Sequence, residues 1–240
     1  MKAMIFAAGK GTRLQPLTNN TPKALVELNG IPMLERVIVK LKQIGVSEII
    51  INVHYLADQI INFLKSKNNF DIHIEISDEK GELLDTGGGL KKASHFFKTN
   101  EPFILHNVDI ESNIDLNKML DLHKSNKSIA SLAVRERISS RYLLFNKRME
   151  LSGWQNIKTN QEIITKQNTS LSNYAFSGIH IIDPKIFDFI DQDGKFSIIN
   201  TYLDLSKTNK IMGYNHTSDY WFDIGNIDNL KKAEDFLLKN

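Results

Sequence analysis

The sequence predicts an α/β protein, a mostly parallel sheet sandwiched by helices. Strand and helix signals alternate from the first residue to about Asp109, and each predicted strand runs into a loop rich in glycine, asparagine or acid residues. The 240 residues are 41% hydrophobic and 24% charged, which supplies a sizeable core and excludes a disordered chain. That length suits one large domain or two small ones.

Residues 1–8 form an apolar first strand that ends at Gly9. Residues 32–44 place Met33, Leu34, Val37, Ile38, Leu41 and Ile44 on one helical face, and Gly45 stops the helix. Residues 48–53 are a β-branched strand. Leu56, Ile60 and Leu64 set a helix over 56–65, and the alternation of polar residues with isoleucine over 71–77 sets another strand. After Thr86-Gly87-Gly88-Gly89 the run 90–97 predicts a helix, and Phe103-Ile104-Leu105 opens a buried strand ending at Asn107-Val108-Asp109. Repeated units of this kind give a Rossmann-like sheet covered on both faces. From about Leu143 the rhythm changes. Segments 143–145, 149–151 and 175–182 predict strands without crossovers, and 194–205 and 227–238 predict helices. No linker-like stretch separates the halves, so the second half is expected to pack on the same sheet.

Composition narrows the function. A net charge of +2 gives no reason to expect a nucleic-acid partner. The absence of cysteine excludes disulfides and thiolate metal sites and fits a reducing compartment. Too few apolar residues precede Gly9 for a targeting core, and no apolar run approaches the ~20 residues of a membrane span. A cytoplasmic protein without a membrane partner is the expectation.

The segment Gly9-Lys10-Gly11-Thr12-Arg13, with Lys23 ten residues on, lets backbone N–H groups approach a phosphate beside cations. It is not a Walker loop, and Leu14 stands where a dinucleotide fingerprint needs its third glycine. On these residues alone it is a polyphosphate cradle or an ordinary strand-to-loop turn. Ligands of open α/β sheets sit beyond the carboxyl ends of the strands, so residues 9–13, the loop over 79–89 and Asp109 should converge. Asp109 and Asp223 are either solvated turn residues or a carboxylate pair for one Mg²⁺, completed by waters and phosphate oxygens.

The longer pattern Gly-x-Gly-Thr-Arg-x-x-Pro-x-Thr-x-x-x-Pro-Lys is met by Gly9, Gly11, Thr12, Arg13, Pro16, Thr18, Pro22 and Lys23. It closely resembles the signature of the sugar-1-phosphate nucleotidyltransferases. The resemblance implies the nucleotide-diphospho-sugar transferase type of fold and a single domain over 1–240, with 1 to about 135 as the nucleotide-binding half. Residues from about 136 to 240 would form a small substrate-covering, sugar-binding lobe and the C-terminal helix. It implies transfer of a nucleotidyl group from a nucleoside triphosphate to a sugar 1-phosphate, with release of pyrophosphate. Arg13 would grip the pyrophosphate and Lys23 the α-phosphate. Ala8, Gly9, Gly11 and Thr12, with Thr86, Gly87 and Gly88 of a second loop, would bind the nucleotide. Asp109 and Asp223, the latter in Trp221-Phe222-Asp223-Ile224-Gly225, would hold Mg²⁺, and Asn173, Ser177 and Gly178 the sugar.

Two positions depart from the family pattern: Val108 replaces a glycine, and Asn226 a threonine, although Asn226 still suits a helix cap. The motif around a phosphate-binding lysine is missing at Lys158, a weak candidate. Of Asp78, Glu79 and Glu82 one could point at the base edge, but exposed loop acids are expected to be solvated. His106 is expected to be a satisfied core residue, and Arg135, Arg137, Arg141, Lys147 and Arg148, which could attract anionic substrates, to form a solvated rim. Among short members the N-acetylmuramate α-1-phosphate uridylyltransferases are most similar. Mannose-1-phosphate guanylyltransferases, glucose-1-phosphate thymidylyl- or uridylyltransferases and phosphocholine cytidylyltransferases are alternatives. A non-catalytic regulatory subunit should have lost a charged site residue, yet Arg13, Lys23, Asp109 and Asp223 are all present.

Overall fold

The computed structural model describes residues 1–167 and 170–239. Its first half runs β1 (Lys2–Phe6), a short ribbon of β2 (Glu27–Leu28) and β3 (Ile31–Pro32), α1 (Met33–Gln43), β4 (Glu48–Val53), α2 (Ala57–Ser66), β5 (His73–Asp78), α3 (Asp85–Lys92) and β6 (Phe103–Asn107). Strands β6, β1, β4 and β5 are adjacent in that order and all parallel. Period-two alternation explains the two-sided burial. Ala3 and Ile5 of β1, with Ile49 and Ile51 of β4, face the apolar stripes of α1 and α2. Met4 and Ile50 face the opposite cluster of Leu90, Phe97, Phe103 and Leu105.

The second half contains β7 (Ile110–Ser112), α4 (Leu116–Asn126), β8 (Ala130–Arg135), β9 (Arg141–Phe145), β10 (Leu151–Asn156), β11 (Gln161–Ile164), β12 (Ser172–Ile182), α5 (Ile198–Ser206), β13 (Ile211–Asn215), β14 (Trp221–Asp223) and α6 (Ile227–Leu237). The 11-residue β12 joins the halves. Its last residues pair antiparallel with both β6 and β8, Ala175 and Phe176 also pair with β8, and its first residues pair with β9. The result is one mixed ten-stranded sheet, the expected α/β sandwich with an antiparallel extension. A bulge between Phe176 and His180 places Gly178 at φ 78°, a conformation that favours glycine.

Several boundaries differ from expectation, three of them with a clear local cause. The helix expected over 90–97 begins at Asp85, so its glycines lie inside α3, and Ser94–Phe97 tightens to a 3-10 turn. The helix expected from 194 starts at Ile198, because Gly194 has φ 71° and Ser197 caps the first turn. The strand expected over 149–151 begins at Leu151, after Met149 turns with φ 58°. The Asn226 side chain does cap α6, accepting from Asn229 N–H at 2.9 Å.

A third apolar cluster fixes the site. Leu14 of the first loop is buried with Met33 of α1, Ile224 beyond β14, and Leu230 and Ala233 of α6. The amino-terminal loop is thus clamped to the carboxyl-terminal helix. No helix of the described residues is long and apolar enough to cross a membrane.

Four histidines are buried in this framework. Burial holds His106 and His180 down to about 3 and His123 and His216 down to about 4. Each is neutral in the fold, whereas the unfolded chain takes up the proton near 6.5. Their contribution is therefore intact at neutral pH and is lost as pH falls below about 6.5, by at most about 1.4 kcal/mol per pH unit for each group. Urea unfolding at pH 7, 6 and 5 should show a steepening loss of stability, and an unchanged midpoint across that range would contradict it.

Candidate functional site

The carboxyl ends of β1, β4, β5 and β6 open into a cavity of about 420 Å³ whose lining includes Ala8, Gly9, Lys23, Thr86 and Asp109. Its walls are tied by a relay of buried polar groups. Ala7 N–H donates to Asn52 Oδ1 at 2.8 Å, Asn52 Nδ2 donates to Glu79 Oε1 at 2.7 Å, and Leu84 N–H donates to Glu79 Oε2 at 3.1 Å. Glu79 is 1% exposed. Expected to be a solvated loop acid, it is the joint between the two loops. The available signal was its place just past β5, level with Asn52 near the end of neighbouring β4.

Gly11 has φ 67°, and a Cβ there would lie 2.9 Å from Thr18 Cγ2 and 3.0 Å from Lys23 Cβ. Thr18 Oγ1 donates to Gly11 O at 2.8 Å, and Leu14 N–H donates to the same carbonyl at 2.8 Å. This winds the loop tightly while Gly9, Thr12 and Arg13 stay exposed at its surface. Lys23 pairs directly with Asp109 Oδ2, both side chains largely buried.

The two aspartates meet because their strands do. Antiparallel pairing of β14 with β7 sets Asp223 opposite Ile110, and Ile224 N–H donates to Asp109 O at 2.8 Å. A Cβ on Gly225 would fall 2.6 Å from Asp223 Oδ1 and 2.7 Å from Arg13 Nη2. Only a glycine lets that carboxylate and that guanidinium approach together. Burial, then the charge of Asp109, raises the Asp223 carboxyl above its usual range, against the opposing pull of Lys23, Arg13 and Arg137.

Asp223 Oδ1 is buried and has no hydrogen-bond partner among the described residues. An orphaned carboxylate oxygen beside a second carboxylate suits a hard divalent cation. No group of three or more potential protein ligands exists among the described residues. The pair therefore fits an ion that keeps waters and takes its other ligands from phosphates, as Mg²⁺ does. Val108 spends its N–H on Phe6 O at 3.1 Å, so that donor is not free for a ligand.

The second loop is built for a neighbour other than the one expected. Gly87 and Gly88 N–H groups donate to Phe196 O at 2.8 and 3.4 Å. A Cβ on Gly87 would lie 2.2 Å from the Phe196 ring, and one on Gly88 2.0 Å from Gly194 O. The close approach that demands glycine is made by the chain's own 194–196 segment, which leaves these two N–H groups committed. Thr86 does line the cavity, and its Oγ1 accepts from Ile198 N–H at 3.0 Å.

The three expected sugar residues do not converge. Asn173 is exposed opposite Leu144 of β9, roughly 13 Å from Ser177 at the ordinary strand rise. Ser177 is buried, its hydroxyl bonded to His216 Nε2 at 2.7 Å and its carbonyl to Trp221 Nε1–H at 2.9 Å. Gly178 leaves room for Asn107, whose Nδ2 would lie 2.9 Å from a Cβ there. Lys158 is exposed in the turn after β10. Arg137, expected in a solvated rim, is half-buried over the Trp221 ring, 4.7 Å from its centroid, and donates to Phe176 O at 3.2 Å.

A larger hollow of about 500 Å³ lies between α1 and β7. Its charges are already answered: Arg36 pairs with Glu111 at 2.8 Å, and Lys40 donates to Ser112 O at 2.6 Å. It carries no cluster comparable to that around Asp223.

The pattern that describes nucleotidyl transferases matches residues 2–240. The chain belongs to the nucleotidyl transferase family. This nucleotidyltransferase is 30% identical over 235 residues to an N-acetylmuramate alpha-1-phosphate uridylyltransferase of Neisseria meningitidis serogroup B, covering 98% of this chain and 97% of that one. It is 34% identical over 195 residues to mannose-1-phosphate guanylyltransferase 1 of Arabidopsis thaliana, covering 80% of this chain and 52% of that one. The solved structure of HddC from Yersinia pseudotuberculosis in complex with GMP-PN is similar at a TM-score of 0.75 and 27% identity, over 98% of this chain and 99% of that one. The nucleotidyltransferase is an enzyme of the sugar-1-phosphate class, as the glycine-rich signature implies.

The raised carboxyl of Asp223 sets a sign. Such a group contributes stability below its unfolded value and loses it as pH rises through the folded value. At pH 7 and without divalent metal, Asp223→Asn should therefore melt higher than the parent enzyme. It should also lose the rise in melting temperature that Mg²⁺ gives the parent. A lower melting point with an undiminished Mg²⁺ response would contradict both statements.

Proposed function

We propose that this nucleotidyltransferase moves a uridylyl group from UTP to N-acetylmuramate 1-phosphate, or a related hexosamine 1-phosphate, releasing pyrophosphate. The observation that carries the chemistry is the cluster of Arg13, Lys23, Asp109 and Asp223, with Asp223 Oδ1 left unpartnered. The choice of uridylyl and muramate rests on near full-length similarity to the Neisseria enzyme. A guanylyl reading is the second choice, supported by the Arabidopsis relative and by GMP-PN in HddC.

The acceptor phosphate is already ionised near neutral pH and attacks the α-phosphorus in line, so no general base is required. Catalysis is then positioning and charge neutralisation. Gly9, Gly11 and Thr12 bring backbone close to the polyphosphate, Arg13 grips the departing pyrophosphate with its planar fork, and Lys23 offers a point charge to the α-phosphate. Asp109 and Asp223 would hold Mg²⁺, which when bound neutralises and orients phosphate oxygens. We assign residues 1 to about 135 to the nucleotide and about 136–240 to the sugar, with the cytoplasm as the setting.

Pyrophosphate release should be measured for UTP, CTP, GTP, dTTP and ATP against a panel of sugar 1-phosphates. UTP with N-acetylmuramate 1-phosphate should give the highest kcat/KM. A maximum with GTP and mannose 1-phosphate would overturn the substrate assignment, and no release from any pair would overturn the reaction. Under the best pair, Lys23→Ala should lower turnover roughly 10²- to 10³-fold, and it should also lower the melting temperature, because it leaves Asp109 unpaired in a largely buried place. A near-parental rate would remove Lys23 from the reaction.

A further inference from the structure

Seven buried side-chain polar atoms lack a hydrogen-bond partner among the described residues, and four of them share one neighbourhood: Arg135 Nε, Arg137 Nε, His216 Nδ1 and Asp223 Oδ1. The indole of Trp221 ties them together. Arg137 and Arg135 lie over its ring at 4.7 and 5.9 Å from the centroid. Its Nε1–H donates to Ser177 O, and the Ser177 hydroxyl bonds His216. Trp221 and Asp223 are two residues apart on β14 and so project from the same face.

Buried polar atoms are nearly always partnered, and an unpaired one costs about 1–3 kcal/mol. Four together mark a place where the partner comes from outside the chain. The sign of that partner follows from the charges. Burial holds His216 neutral, so the group presents two guanidinium ions flanking a carboxylate suited to a cation. An oxyanion that reaches both the guanidinium fork and a cation on Asp223 answers the charged members of the group.

Position separates this anion from the triphosphate. Arg137 Nη2 donates to Phe176 O, and Phe176 lines a second hollow of about 420 Å³ between β9, β10, β12 and α5, with Leu143 and Trp154 on its apolar wall. Lys23, Gly9 and Thr86 line the other cavity. Arg137 and Arg135 line neither hollow, so an anion held between them lies apart from the residues that line the cavity at the strand ends.

We propose that Arg137, backed by Arg135, binds an oxyanion of the acceptor. The inference rests on the sugar-1-phosphate reading given above. The oxyanion is either the 1-phosphate, common to every acceptor, or a carboxylate carried on the ring.

Arg137→Gln and Arg137→Lys should be compared with the parent enzyme by pyrophosphate release, with UTP and each of glucose 1-phosphate, N-acetylglucosamine 1-phosphate and N-acetylmuramate 1-phosphate. The Gln variant should raise KM for the acceptor at least tenfold and leave KM for UTP within about twofold, with the Lys variant between. A rise for all three acceptors identifies the phosphate as the anion, and a rise for the muramate alone identifies the carboxylate. KM for UTP rising as much as KM for the acceptor, or neither changing, overturns the proposal. Both constants come from one enzyme preparation, so a partly destabilised variant still decides between them. A parent enzyme inactive on all acceptors would instead sink the reading beneath the proposal, and the proposal with it.

Discussion

The site depends on one electrostatic constraint: two carboxylates, Asp109 and Asp223, are held side by side in a half-buried place. Burial and mutual repulsion oppose the charge on Asp223, and Lys23, Arg13 and Arg137 answer it. Such an arrangement is costly in the resting protein unless the backbone enforces it. Enforcement comes from the pairing of β14 with β7 and from the Leu14 cluster, which fastens the first loop to α6. Folding free energy from ordinary apolar packing thus holds these charged groups together, and a ligand that met them would find them already placed.

The same economy governs the second loop. Glu79 is buried, and its carboxylate bonds two groups that position something else: Asn52, which accepts from Ala7 N–H, and Leu84 N–H at the entry to α3. The glycines of α3 then let the 194–196 segment close against the helix. Parts of the chain more than a hundred residues apart become one wall of the cavity beyond the strand ends. Rigidity here comes from the fold, and the exposed backbone of Gly9 and Thr12 is left free for a ligand.

Much of this was legible in the sequence. Alternating strand and helix periods gave the parallel core, because β1, β4, β5 and the helices between them bury strongly patterned faces. The rule that loops follow strand ends brought Gly9, the 79–89 loop and Asp109 together. Long-range pairing was less legible. Nothing local in residues 172–182 announces that one strand serves β6 on one side and β8 and β9 on the other. The meaning of polar residues depended on partners far away in the chain. Ser177 looked free for a sugar hydroxyl but is occupied by His216. Glu79 looked solvated but is buried. Arg137 looked like rim but stacks on Trp221. In each case the deciding neighbour is 27 or more residues distant, which periodicity does not reach.

The most direct test of the central claim is a crystal structure with UTP and Mg²⁺ bound. The account predicts a cation between Asp109 and Asp223, phosphates against Gly9–Arg13, and Lys23 turned from Asp109 to the α-phosphate. A nucleotide seated in the hollow between α1 and β7, with the two aspartates free of metal, would contradict it.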